Sequence, residues 1–167
     1  MREFSVPATT EVGPDEAVTD LLATNVARHG DEVGLRRRRD GQWRDVPWKE
    51  FGGEVAAVAK GLIAAGVQAG DRVALQAKTR YEWTVLDFAI WTAGGVVVPI
   101  YDSSSADQVA WILSDSGATA VVVSTATPAR GTSLSNSDCM PAWPTRLAKV
   151  QPRRANVAAA RNLSQLK

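Results

Sequence analysis

Residues 72–101, RVALQAKTRYEWTVLDFAIWTAGGVVVPIY, restrict the fold more than any other stretch of the chain. A short apolar run (Val73, Ala74, Leu75) leads into a helix-like segment over residues 80–93. Two glycines, Gly94 and Gly95, then break the helix, and a second run, Val96 to Ile100, follows. Strand, helix, glycine turn and strand make a βαβ unit. A right-twisted strand feeding a right-handed helix packs back onto its sheet in one hand only, so a parallel sheet is the expected result. The helix is apolar on nearly every side (Tyr81, Trp83, Val85, Leu86, Phe88, Ile90, Trp91), and Glu82, Thr84, Asp87 and Thr92 share no face. Such a helix is buried or expects more protein around it.

The flanks extend the unit in both directions. Residues 1–17 lack periodicity and contain Pro7 and Pro14, which reads as an extended arm. Thr19 is placed to cap a helix carrying Leu22 and Val26 one turn apart and closed by His29 and Gly30. Asp40-Gly41 is a strong two-residue hairpin signal, with residues 43–46 as the returning strand. Pro47 suits the first turn of the next helix, where its missing N–H costs nothing. Phe51, Val55, Val58 and Leu62 then recur at four, three and four residues, one apolar face that ends at Gly66. Beyond residue 101, Ser105 and Gln108 stand at capping-box spacing, Val109, Ile112 and Leu113 form a stripe, Gly117 stops it, and residues 118–123 read as another strand. The order is hairpin, α, β, α, β, α, β. The fold class is α/β: βαβ units in a parallel sheet plus a β-hairpin.

Net charge is balanced, but the balance hides an asymmetry. Up to Val123 there are 12 Lys and Arg against 17 Asp and Glu; beyond it, 7 basic residues face only Asp138. Such a split marks two pieces of different physics. The body over 18–123 is expected to fold, and the basic tail over 124–167, rich in Ser, Thr, Pro, Ala and Arg, has apolar residues too sparse for a core and reads as disordered, with at most a weak helix over 150–166. The single cysteine, Cys139, can build neither a disulfide framework nor a zinc site and fits a reducing compartment. The N-terminus has no apolar signal region and no stretch reaches transmembrane length, so the expected location is the cytoplasm.

The chemistry is sparse. No zinc pattern, Walker loop or GxGxxG following a strand occurs. His29, the lone histidine, sits at a helix C-terminus, where a cation suits the dipole, and one histidine cannot assemble a Ser-His-Asp or Cys-His site. Arg36 to Arg39 is a basic cluster open to phosphate or nucleic-acid binding. The preferred reading is a solvated hairpin arm, since alternate residues face opposite sides and no aromatic interleaves in the run. The loop from Tyr101 to Ser105 is the better site candidate. It leaves the carboxyl end of a strand and enters a helix N-terminus, where ligands of open α/β sheets bind. Capping alone accounts for Ser105 and Gln108, and the aromatic helix is core before it is a cofactor box. No catalytic, cofactor-binding or metal-binding residue can be named.

The same stretch resembles the N-terminal region of AMP-forming acyl-CoA synthetases, in particular the long-chain fatty-acid–CoA ligase branch. Arg80, Glu82, Trp83, Asp87, Ala89, Gly94, Val98, Pro99, Tyr101, Ser103, Ser104, Gln108, Ile112, Leu113, Ser116, Gly117 and Ala118 fit the family pattern in order and spacing. Residues 43–51, WRDVPWKEF, resemble an earlier family element, with Pro47 where Ser or Thr is usual. The resemblance covers residues 18–123.

It implies a partial N-terminal subdomain of an acyl-CoA synthetase-like fold, from a family that adenylates a fatty acid with ATP and Mg²⁺ and passes the acyl group to CoA. That chemistry needs a cradled, neutralised polyphosphate. In the family this comes from a Ser/Thr/Gly-rich loop ending in Pro-Lys-Gly, together with a ribose-binding Asp, a magnesium-binding Glu and a C-terminal Lys. None is found here, and residues 124–138, STATPARGTSLSNSD, lack the paired glycines and the ending. The expectation is a truncated ligase, inactive alone, whose last segment follows a shifted reading frame or a rearrangement. The rival is a non-catalytic protein-binding or regulatory module on the same fold. An unpaired sheet edge would favour self-association in either case. Nucleic acid is not an expected partner.

Overall fold

A computed structural model describes residues 5–7, 9, 11, 13–124 and 145–149. The elements in chain order are α1 (Val18–His29), β1 (Val33–Arg39), β2 (Gln42–Pro47), α2 (Trp48–Ala64), β3 (Arg72–Gln76), α3 (Tyr81–Thr92), β4 (Val96–Ile100), α4 (Ala106–Ser116), β5 (Ala120–Ser124) and β6 (Thr145–Lys149). The α/β fold and its hairpin are as the sequence pattern indicates.

The main sheet runs β4-β3-β5-β6. β3 pairs in parallel with β4 on one side and β5 on the other, while β6 is antiparallel to β5. Because β4 and β5 flank β3 on opposite sides, two right-handed crossovers place their helices on opposite faces. The side chains follow. On one face Val73, Leu75, Ala120 and Val122 share a core with α1, α2 and α3; on the other Ala74, Val121 and Val123 pack with α4 through Val109, Ala110 and Leu113. Burial on both faces explains why β3 and β5 are continuous apolar runs instead of alternating ones.

The larger core is built on α2. Phe51, Val55, Val58 and Leu62 are buried, each contributing about 1.5–3 kcal/mol relative to exposure. Phe51 is an aromatic hub, edge-on to Trp48 (6.3 Å between centroids), Tyr81 (6.1 Å) and Phe88 (5.6 Å), and Phe88 continues to Trp91 at 5.4 Å. The nearly all-apolar α3 is therefore core on one side, through Val85, Leu86, Ala89 and Ile90, and aromatic contact on another.

Helix and turn ends match the expected residues with small shifts. Asp40 (φ 52°) and Gly41 (φ 79°) both take positive φ, the conformation a two-residue hairpin turn demands. Ser105 caps α4 reciprocally: its Oγ accepts from the Gln108 N–H (3.3 Å), and Gln108 Oε1 accepts from the Ser105 N–H (2.9 Å). Thr19 does not cap α1. The helix starts two residues earlier, at Val18 behind Ala17, and the Asp20 carboxylate accepts the Ala17 N–H at 2.8 Å. Pro47 stands just before α2 in extended conformation (φ −64°, ψ 154°), not within its first turn.

One element is a departure. Thr145–Lys149, inside the stretch expected to be disordered, forms β6 and pairs with all of β5. Without it β5 would present a row of unpaired backbone groups, and Leu147 adds apolar contact with the larger core. The polar composition of TRLAK hides this role. The weak helix expected over 150–166 and the cysteine at 139 lie outside the described residues.

Candidate functional site

The connection after β3 crosses one face of the sheet and the connection after β4 crosses the other. Adjacent strands of this kind leave a crevice beyond their carboxyl ends. An open cleft of about 210 Å³ lies there, lined by Ala77 and Thr79 after β3, Trp83 on the first turn of α3, and Pro99, Ile100, Tyr101 and Asp102 at the end of β4. Gln76 reaches across from β3, its Nε2 donating to the Tyr101 carbonyl at 3.5 Å, and a turn closed by the Ser104 N–H on the same carbonyl (3.1 Å) carries the chain into α4. Ile100 is buried at the base of the cleft, whereas Tyr101 is 84% exposed at its rim.

The expected Tyr101–Ser105 loop thus divides. Tyr101 and Asp102 line the cleft, while the Ser105 hydroxyl is used in capping α4. Ala77, Thr79 and Trp83 escaped the sequence reading, although the carboxyl-end rule applied to β3 points to them. The lining is mostly apolar, with Thr79, Tyr101 and Asp102 as its polar side chains and no Lys or Arg. Its volume is below the roughly 300–1,000 Å³ of sites that enclose a small molecule. A triphosphate needs cationic neutralisation that this lining does not supply, and among the described residues no group of three or more His, Cys, Asp or Glu could hold a metal ion. The residues lining this cleft do not by themselves fit a nucleotide triphosphate with its magnesium ion.

A second cluster lies where the hairpin meets α2 and α3. Arg37 turns inward, its side chain 11% exposed, and donates to Glu50 and Glu54, both at 3.1 Å. Glu54 also accepts from the Tyr81 hydroxyl at 2.8 Å, Glu50 pairs with Arg44 at 3.0 Å, and the Arg37 guanidinium lies 4.9 Å over the Tyr81 ring. Burial first, then the bond to the Glu54 carboxylate, holds the Tyr81 phenol well above its ordinary range. The Asp87 carboxyl is likewise raised, by burial.

The arginine run is therefore not one solvated face. Arg37 is a packed residue, and aromatics do reach the run: Tyr81 lies beneath Arg37, and Trp43 on β2 stands directly opposite Arg38. Linear sequence conceals cross-strand neighbours, which is why the run reads as bare charge. Arg36 pairs with Asp45 at 2.7 Å and Arg39 with Asp40 at 3.9 Å. His29 Nδ1 lies 2.9 Å from Glu32, an exposed pair at the end of α1.

Comparison with known proteins fits this architecture. A sequence model of the AMP-binding enzyme family matches residues 22–165, continuing past Val123. The chain is 47% identical over 125 residues to the long-chain-fatty-acid–CoA ligase FadD15 of Mycobacterium bovis, covering 75% of this chain and 21% of that protein. It is 34% identical over 92 residues to the peroxisomal long chain acyl-CoA synthetase 7 of Arabidopsis thaliana, covering 53% and 13%. Among solved structures, the N-terminal subdomain of Klebsiella oxytoca NpsA superposes with a TM-score of 0.60 at 25% identity, over 70% of this chain and 29% of that one. The chain spans about a fifth of the length of its curated FadD15 relative. It belongs to the AMP-binding enzyme family, in which the two relatives just given are a long-chain-fatty-acid–CoA ligase and a long chain acyl-CoA synthetase.

Proposed function

We propose that the chain is the N-terminal scaffold portion of an ATP-dependent long-chain-fatty-acid–CoA ligase, working in the cytoplasm, and that it does not catalyse the ligase reaction alone. The whole reaction would join a fatty acid to CoA at the expense of ATP, releasing AMP and pyrophosphate. The identity of 47% over 125 residues to a ligase several times longer carries the reading. The composition of the cleft supports its second half. Attack of a carboxylate on a phosphate needs a held polyphosphate and donors aimed at the developing charge. The cleft offers one carboxylate, two hydroxyls and an apolar wall. In this reading the described residues supply a rigid sheet and one flank of a larger active-site region, and magnesium, nucleotide and CoA are held elsewhere.

The purified 167-residue chain, given ATP, Mg²⁺, palmitate and CoA, is expected to show neither pyrophosphate exchange into ATP nor acyl-CoA formation by mass spectrometry. Turnover above a heat-denatured control would overturn the claim of inactivity. The family assignment would stand.

A further inference from the structure

The hairpin carries its residues on two faces. Cross-strand partners share a face, so Leu35 with Val46 and Arg37 with Arg44 form one, turned toward α2, and Arg36 with Asp45 and Arg38 with Trp43 form the other. The inner face holds fully buried Val46 and nearly buried Arg37. On the outer face Trp43 is 70% exposed, a large apolar ring with no place in either core. Beside it, the Arg38 Nε donates only to the Gly41 carbonyl at 3.4 Å, and among the described ion pairs Arg38 has no carboxylate, whereas Arg36, Arg39 and Arg44 each have one and Arg37 has two.

We propose that this outer face, Trp43 with Arg38 beside it and Arg36 held by Asp45 next to them, is a contact surface for anionic phospholipid headgroups. An indole is amphipathic and settles at the headgroup level, and the adjacent Arg38 guanidinium, without a carboxylate of its own, is drawn to the negative surface potential of an anionic leaflet. Both requirements meet at Arg38 and Trp43, held side by side by strand register. The occupant follows from what else is on the face. One indole among charged groups is too little apolar area for the buried centre of a protein interface. A single-stranded nucleic acid would need a series of aromatics to stack successive bases, and this face has one. A lipid surface asks only for the indole and the charge. The proposal stands apart from the ligase reading, because it invokes neither nucleotide nor CoA.

The test is partition of the whole chain onto large vesicles of phosphatidylcholine, alone or mixed with phosphatidylglycerol, followed by sedimentation and by quenching of tryptophan with brominated lipid. Binding is expected on the anionic vesicles only, weakening as salt rises. Arg38→Gln should weaken it about fivefold, the effect of one cation at such a surface. Trp43→Ala should weaken it by a similar factor and remove the lipid-quenched part of the emission, while Trp43→Phe keeps most of the affinity. Circular dichroism spectra should be unchanged, since both side chains lie outside the cores. The seven basic residues beyond Val123 would add attraction of their own for anionic lipid, so dependence on these two residues is the deciding result. Equal binding by wild type and both variants would overturn the proposal, as would equal binding to phosphatidylcholine alone. So would tighter binding of a single-stranded oligonucleotide that depends on the same two residues.

Discussion

Removing Glu54 tests whether the hairpin is fastened to the body by the Arg37 cluster or merely lies against it. Glu54 accepts from both Arg37 and Tyr81, so Glu54→Ala takes two bonds at once. Arg37 is left with Glu50 as its one carboxylate, and its Nε is already buried without a partner. An unsatisfied buried donor costs about 1–3 kcal/mol, and truncating one member of a fully buried ion pair about 3–5 kcal/mol. The Glu54 side chain is 23% exposed, so water reaches part of the vacated space and the expected loss falls to about 2–3 kcal/mol. Glu50→Ala should cost less, about 1 kcal/mol, because Arg37 keeps Glu54 and the released Arg44 is half exposed. Urea unfolding followed by circular dichroism gives both values. Combining Arg37→Met with Glu54→Ala should cost at least about 1 kcal/mol less than the separate losses added together, since the second change removes a partner already gone. Strict additivity, or a Glu54→Ala effect under about 0.5 kcal/mol, would refute the view that these groups act as one unit.

Other outcomes follow from single positions. A phenol whose folded value is raised contributes stability that is present below its ordinary value of 10.0 and is lost as pH rises beyond it, so the urea midpoint should fall from pH 9 to pH 11 and fall less steeply in Tyr81→Phe. Gly41→Ala meets no neighbour within 4 Å but must hold φ near 79°, so it should cost about 1–2 kcal/mol, whereas Gly53→Ala, equally unobstructed inside α2, should gain about 0.5–1 kcal/mol, both read by thermal melting. Ser105→Ala removes the α4 cap and should cost about 1 kcal/mol by the same assay. In β4 the Val96 N–H points to β3, so Val97 and Pro99 present their backbone outward, where Pro99 has no N–H to offer; Pro99→Val should raise the fraction of associated chain in size-exclusion chromatography with light scattering, and an unchanged monomer fraction would count against edge protection.

What could be read from residue order alone depended on how local each signal is. The Phe51 face, the Asp40-Gly41 turn and the Ser105 cap rest on neighbours within about one helical turn or one hairpin, and all are in place. Thr19 failed as a cap because it lies inside the helix, whose start is fixed by Asp20 at the third helical position reaching back to the Ala17 N–H. β6 failed because its reason for being a strand lies in β5, more than twenty residues away, and not in its own composition.

The two clusters of interest failed in the same way, and the common cause is register. In sequence, Arg36 to Arg39 is a block of like charge, for which solvation is the natural reading. Pairing with β2 splits the block by parity. Arg37 goes inward onto Tyr81, Glu50 and Glu54, and Arg38 goes outward beside Trp43. A shift of one residue in that pairing would exchange the two fates, burying Arg36 and Arg38 where only two carboxylates and one ring wait. The turn at Asp40 and Gly41 fixes the register, and with it which arginine serves the fold and which faces outward. The same logic governs the cleft: Thr79 and Tyr101 are 22 residues apart in the chain and meet because β3 and β4 end side by side. In both places the hydrogen-bonded ladder, not the local residue pattern, assembles the surface on which chemistry would occur.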